Sequence, residues 1–313
     1  MHTRPMTGIR KIWRSIRTFL AEDIWILDPE ELSRAKARFI KYIKVLIITI
    51  RTFSAQKIGF QAVALSFFGT MSVVPFLAVT FVVTGGLGLE GRLRELLYEN
   101  FSSYQEIINM IMGFADNIIS TAMTSGVGLV SSLFFLWVVI WMMMSVERVF
   151  NNVWKVHKSR NLFKRLGFYI MMLVIAPFIL MLFFSGTISY SNLFDNMDWG
   201  ILKLEEVKSF VSWLLFYIIA VLTFSAMYKF IPNYPVKYSH ALKAALFAAL
   251  TFTLLQYLYL ETQLFVTRLN TVYGALAAIP LFMFWLNFGW FIILFGAELS
   301  YAFQNVDNYN LDD

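Results

Sequence analysis

Charged residues divide the chain into six long uncharged runs, at 58–89, 117–146, 166–194, 209–228, 244–260 and 269–297. A helix needs roughly 17–25 apolar residues to cross the hydrocarbon core of a membrane. Each run is therefore long enough for one crossing and too short for two. The pattern predicts an all-α polytopic membrane protein with six transmembrane helices, spans 1 to 6, at about 58–84, 122–146, 166–190, 209–229, 240–261 and 275–298.

Residues 1–52 precede the first span and show helical amphipathicity. Residues 9–20 place isoleucines and a tryptophan on one face and Arg10, Lys11, Arg14 and Arg17 on the other. A basic face of this kind binds anionic lipid headgroups while the apolar face enters the acyl boundary. We expect this interfacial contact, with packing on the cytoplasmic side of the protein as the alternative. A second amphipathic helix, toward residue 51, is expected to lie along the inner surface.

Two further segments complete the expected organisation. In the loop from residue 90 to residue 116, apolar residues recur at helical spacing and acidic residues lie on the opposite side. This pattern predicts an outer amphipathic lid between spans 1 and 2. The chain ends in an acidic stretch. We therefore divide it into interfacial helices (1–52), a six-helix membrane domain (53–301) and an acidic cytoplasmic tail (302–313).

The distribution of charge predicts the orientation. Of the 26 Lys and Arg residues, 21 lie before span 1 or in the loops after spans 2 and 4, and 5 lie in the other loops. An excess of Lys and Arg marks cytoplasmic loops, so both termini are expected in the cytoplasm. This asymmetry accounts for the net charge of +6 without a nucleic-acid partner. A homo-oligomer is left open.

The composition offers little catalytic chemistry. Hydrophobic residues make up 58% of the chain, and the chain has no cysteine and three histidines, all in different loops. Metal hydrolases need His, Asp, Glu or Cys at ligand spacing, and the sequence contains neither such a group nor a phosphate-binding GxxxxGK[ST] motif. We expect a protein that is not an enzyme and has no metal or cofactor.

Polar residues within or beside the spans are the candidate site residues. Gln61, Gln256 and Asn287 lie inside spans, where an amide either bonds a neighbouring helix or contacts a substrate. Glu147, Arg148 and Glu298 lie at the cytoplasmic rim. They either pair, for example Arg148 with Glu298, or extend into the headgroup region. No run contains an ionisable residue, so a proton relay in mid-membrane is not expected.

Several short motifs together resemble one family. They are Gln61-Ala-Val-Ala-Leu-Ser-Phe-Phe with Pro75, Asn151-Asn-Val-Trp154, Ile231-Pro232-Asn-Tyr-Pro, Asn270-Thr-Val-Tyr273-Gly274 and Phe295-Gly-Ala-Glu298-Leu. Between about residues 40 and 304 the chain resembles the BrkB/YihY family of bacterial inner-membrane proteins, historically labelled ribonuclease BN. The resemblance implies a multi-pass inner-membrane protein with both ends cytoplasmic. Some members are associated with serum resistance or with envelope lipid transport.

These observations favour a transporter or lipid-handling protein that moves an amphiphile or small solute across or within the bacterial cytoplasmic membrane. The alternative is a non-catalytic scaffold for envelope assembly. A ribonuclease is a distant third, because the old family label finds no supporting residues in this chain.

Overall fold

The computed structural model describes residues 18, 24–26, 32–86, 88–100, 109, 112–113, 116–117, 120, 126–156, 158, 160–161, 163–176, 178–179, 205–269 and 271–309. Within these residues the regular structure is helical, which confirms the all-α prediction. The helices are α1 (Arg34–Ala55), α2 (Ile58–Gly86), α3 (Glu90–Asn100), α4 (Gly126–Val153), α5 (residues 163–176), α6 (Glu205–Phe230), α7 (Tyr238–Leu269) and α8 (Thr271–Asn305), followed by a 3₁₀ turn at Val306–Asn308.

Five stretches of the described chain are long and apolar enough to cross a membrane. They are Ile58–Thr80, Leu133–Val153, Trp213–Phe230, Tyr238–Gln263 and Pro280–Asn308, in α2, α4, α6, α7 and α8. They confirm a polytopic membrane protein. The third predicted span corresponds to α5, and its second half lies outside the described residues. The count of six therefore stays a prediction.

The longest helix, α8, is the centre of the bundle. It packs against α7, α2, α1, α4 and α6. Small residues allow this close approach. A Cβ atom on Gly296 would overlap the hydroxyl oxygen of Tyr228 and would lie 2.8 Å from Cβ of Ala248. Only glycine leaves room for α6 and α7 at this point of α8.

Helix α1 runs antiparallel along α8, although the sequence led us to expect a helix along the inner surface. Lys41 pairs with Asp307 at one end, and Tyr42 meets Phe303 edge to face at 5.9 Å. At the other end Phe53 contacts Phe291 at 4.9 Å. The cause is the apolar stripe of α1, whose Val45 and Ile48 are fully buried in the common core.

The C-terminal ends of α4, α6 and α8 and the N-terminal part of α1 meet at one end of the bundle, called the inner end below. Two of the family-like motifs, at 151–154 and 231–235, lie there. Asn151 Oδ1 accepts the backbone N–H of Asn233 at 2.7 Å, and the Trp154 ring stacks on Tyr234 at 5.1 Å. Arg160 donates to the carbonyl oxygens of Phe230 and Pro232, at 2.6 and 3.2 Å. The motifs around residues 151–154 and 231–235 thus pack against each other, a contact called the inner-end joint below.

The C-terminal segment belongs to this inner end. Helix α8 continues past residue 301 to Asn305, and Ala302, Phe303 and Val306 are buried. The Trp25 ring of the single helical turn Ile24–Ile26 packs against Tyr309 at 5.7 Å. The expected tail of residues 302–313 is therefore packed as far as Tyr309.

Candidate functional site

A cavity of about 450 Å³ lies between α2, α4, α5, α6, α7 and α8. This volume falls within the range of about 300–1,000 Å³ typical of small-molecule sites. Its wall is almost entirely apolar and includes Phe76, Val139, Met143, Met172 and Ile293. A cavity with such a wall suits a hydrocarbon chain or an aromatic group.

Glu147, on α4, is one of the residues that line this cavity. The Glu147 side chain is 1% exposed. Its Oε2 accepts a hydrogen bond from Arg165 Nε at 2.9 Å and a short one from the Tyr169 hydroxyl. Arg165 reaches the surface with 17% of its side chain exposed. The charge on Glu147 is thus compensated, while its Oε1 has no partner among the described residues.

The indole of Trp285 lines the cavity on the α8 side. Its Nε1 donates to Oε1 of Gln256 on α7 at 3.0 Å, and its ring lies 5.3 Å from that of Tyr259. The amide of Gln256 therefore holds a cavity-lining side chain in place. Gln256 itself is not among the described residues that line the cavity.

Glu298 is fully buried between α1 and α8, and it is not among the residues that line this cavity. Its Oε2 lies 2.8 Å from Thr52 Oγ1 on α1. The pairing of Glu298 with Arg148 considered from the sequence is not formed among the described residues, because Arg148 is exposed while Glu298 is fully buried beside Thr52. Glu147 and Glu298 are buried acids and do not extend into the headgroup region.

The remaining polar candidates make hydrogen bonds within the bundle. Asn287 Nδ2 donates to Ser66 Oγ at 3.3 Å and so joins α8 to α2. Gln61 Nε2 donates to the carbonyl oxygen of Gln56 at 3.2 Å, one turn away. Pro75 is buried inside α2. Among Gln61, Gln256 and Asn287, the amides of Gln256 and Asn287 connect different helices.

Some candidates lie outside the described residues. Arg10, Lys11, Arg14, Arg17 and Asn270 belong to this group, and Tyr273 and Gly274 are described only as helical backbone. The helix α3 and the ion pair between Arg94 and Asp116 are the described parts of the expected outer lid. Within the described residues, no group of three or more His, Cys, Asp or Glu side chains could hold a metal ion.

Three important residues escaped the sequence analysis. Arg165 and Tyr169 are four residues apart, a spacing that places both on one face of a helix entering span 3. That spacing is the signal that could have identified them as partners of a rim acid. Thr52 carried no signal, because it is separated from Glu298 by 246 residues.

Comparisons with known proteins identify the family. The sequence profile described as Virulence factor BrkB matches residues 49–313. A UPF0761 membrane protein of Acinetobacter baylyi is 30% identical over 83% of this chain and 62% of its own length, and one of Chlorobium limicola is 28% identical over 93% and 66%. A third, from Actinobacillus pleuropneumoniae, is 27% identical over 83% of this chain and 92% of its own length.

The chain thus spans somewhat under two thirds of the length of the first two relatives that it matches. No solved structure matches the chain. The family profile covers most of the chain, including the inner-end joint and both buried glutamates. The protein is therefore a multi-pass bacterial membrane protein of the BrkB (UPF0761) family.

Proposed function

We propose that this protein binds an amphiphilic molecule in its central cavity and moves it across or within the bacterial membrane. The observation that carries the proposal is the apolar cavity with Glu147 among its lining residues. The walls suit a hydrocarbon tail, and Glu147 suits a polar headgroup. A lipid is the class of amphiphile that a membrane supplies in abundance.

The acidic residue among those that line the cavity favours a headgroup that donates hydrogen bonds. Oε2 of Glu147 is already occupied by Arg165 and Tyr169, and Oε1 has no partner among the described residues. Leaving a buried acceptor unsatisfied costs roughly 1–3 kcal/mol, and more for a charged group. Rotation of the Glu147 side chain that turns Oε1 toward the cavity would let an ammonium or hydroxyl group of a headgroup satisfy this oxygen, so we take phosphatidylethanolamine as the first probe.

The test is transfer of headgroup-labelled phosphatidylethanolamine between the leaflets of proteoliposomes, followed with a membrane-impermeant quencher. Ala176→Phe places a large ring in the cavity and is expected to abolish transfer. Ile175→Phe is the matched control, because Ile175 is the neighbouring residue, is 38% exposed and does not line the cavity. Equal transfer by both variants, or none by the wild type, would contradict the proposal, and the second result would favour the scaffold.

We further propose that the inner end of the bundle faces the cytoplasm. The cytoplasmic assignment is supported by the lysines and arginines gathered there, among them Lys41, Lys158, Arg160 and Lys237. The chain has no native cysteine. A cysteine at Asn308 should therefore resist a membrane-impermeant thiol reagent applied outside cells, whereas one at exposed Ser120 should react. The reverse labelling would overturn this orientation.

A further inference from the structure

The contacts around Thr52 favour a protonated Glu298. The hydroxyl oxygen of Thr52 lies 2.8 Å from the carbonyl oxygen of Ile48, 3.3 Å from that of Thr49 and 2.8 Å from Oε2 of Glu298. A hydroxyl group has one proton to donate, and all three oxygens are acceptors when Glu298 is ionised. One of the two short contacts would then be an oxygen–oxygen contact without a proton.

A proton on Glu298 resolves this conflict. The carboxyl O–H then donates to Thr52 Oγ1, and the Thr52 hydroxyl donates to the carbonyl oxygen of Ile48, as hydroxyls in helices commonly do. Oε2 of Glu298 and the hydroxyl of Thr52 then each have a proton for their short contact, while Oε1 of Glu298 has no partner among the described residues. The neutral acid also avoids the large cost of burying an unpaired charge.

The charges around Glu298 support the neutral form. Among the described residues Glu298 takes part in no ion pair, in contrast to Glu147, which is just as buried and has Arg165 beside it. The charge that acts on Glu298 from a distance is that of Lys155, at the end of α4. Lys155 is exposed to solvent. Its backbone has a φ of 52°, which places it in the left-handed conformation that lysine rarely adopts.

We propose that Glu298 is a proton-binding site, which holds a proton while α1 lies on α8 and releases it when the two helices separate. On release the O–H bond of the carboxyl group breaks and the proton passes to water at the inner end. The ammonium group of Lys155 stabilises the carboxylate that remains. Thr52 is the positioning residue, since it bonds the protonated acid and belongs to the helix that moves.

The other groups packed around this site leave Lys155 as the main charge that acts on Glu298. Helix α6 contributes the hydroxyl of Tyr228, which is buried against Gly296, and α7 contributes Ala248 at the same level. His240 of α7 interacts electrostatically with Lys41, Lys237, Lys243 and Asp307. The charged residues that interact with His240 thus lie at the inner end of the bundle, away from Thr52.

A proton site in this position would let a proton gradient act on the helix pair α1 and α8. Helix α8 also forms one wall of the central cavity, so separation of α1 from α8 would change the support of that wall. This coupling rests on the proposed function. The proton site itself does not, because it follows from the contacts of Thr52 and Glu298 alone.

Infrared spectroscopy of the full chain in lipid nanodiscs at pH 7 tests the proton site directly. A protonated carboxyl group gives a carbonyl stretch that is absent from carboxylates and shifts in heavy water. We expect this band in the wild type, its loss in Glu298→Gln and its retention in the matched variant Glu147→Gln. A wild-type spectrum without the band, or loss of the band in Glu147→Gln alone, would overturn the proposal.

Unfolding at different pH values gives a second, independent measurement. The amide of Glu298→Gln can donate to Thr52 as the acid does, so the variant should match the wild type in acid, where Glu298 is protonated in both the folded and the unfolded protein. A group that binds its proton more tightly in the folded than in the unfolded state loses its stabilising effect as pH rises, and the loss begins at the pKa of the unfolded chain, about 4.3 for glutamate. The wild type should therefore become progressively less stable than Glu298→Gln as pH rises from that value through neutral pH. Parallel pH profiles of the two proteins would contradict the proton site.

Lipid transfer separates this proposal from the proposed function. Ala176→Phe should stop transfer and keep the infrared band, whereas Glu298→Gln should remove the band and make any remaining transfer insensitive to a pH gradient. Transfer by the wild type that ignores the gradient would disprove the coupling. Loss of the band with normal gradient-dependent transfer in Glu298→Gln would also disprove it.

Discussion

Glu147 and Glu298 are two equally buried acids near the inner end of the bundle, and their surroundings differ. Glu147 has an arginine and a tyrosine on one oxygen and lines the large cavity. Glu298 has one threonine and a distant lysine and lies between two packed helices. A buried carboxylate keeps its charge only where a cation and hydrogen bonds replace water. Under the two proposals above, the same residue type serves as a ligand group paired with a cation in one place and as a neutral acid in the other.

The environments differ because of the helices that face each acid. Glu147 faces α5, whose first turn brings Arg165 in from the surface with part of its guanidinium still in contact with solvent. Glu298 faces the apolar stripe of α1, where Thr49 and Thr52 are the polar members and donate to their own helix. Neither threonine can neutralise a charge.

The largest expected effect comes from removing the cation beside Glu147. Arg165→Met keeps the length of the side chain and leaves Glu147 buried without its charge partner, which typically costs 3–5 kcal/mol. The free energy of unfolding, measured in mixed micelles of increasing denaturing detergent, should fall by about this amount, reduced by the partial exposure of Arg165.

The double variant Glu147→Gln with Arg165→Met supplies the control. It removes both charges, so it should recover most of the lost stability, and the coupling energy should be well above 1 kcal/mol. A double variant no more stable than Arg165→Met would mean that Arg165 acts by packing alone, and the contrast between the two acids would lose its basis.

A smaller effect is expected from Thr52→Val, which keeps the shape of the side chain and removes the partner of Glu298. One unsatisfied hydrogen-bonding group in a buried site costs roughly 1–3 kcal/mol. Thr52→Ser keeps the hydroxyl and should remain close to the wild type in the same unfolding measurement. A loss for Thr52→Val as large as that for Arg165→Met would indicate a charged Glu298 and would remove the difference between the two acids.

The sequence alone could identify both acids as candidates, but it could not indicate their burial or their protonation states. The uncharged runs located the helices because a membrane crossing has a fixed length and polarity, and that part of the fold was predictable. Burial of Glu147 and Glu298 depends on residues far away in the chain, namely Arg165 and Thr52. The position of α1 was missed for a similar reason. An amphipathic pattern shows that one face of a helix is covered, and it does not distinguish a lipid surface from the side of α8.

The smallest effect is expected for Lys41→Gln, at the exposed end of the contact between α1 and α8. The Nζ atom of Lys41 and the Oδ2 atom of Asp307 are 2.7 Å apart, but the two side chains are 46% and 74% exposed. Exposed ion pairs contribute about 0.2–1 kcal/mol, and salt screens them. The loss should shrink further because Lys41 also lies near the positive charges around His240, whose repulsion its removal relieves. We therefore expect a change in unfolding free energy at the lower end of that range, larger in Asp307→Asn, which relieves no repulsion, and lost in high salt. If Lys41→Gln instead costs more than Thr52→Val, then the ion pair, and not the buried contact of Thr52 with Glu298, holds α1 on α8.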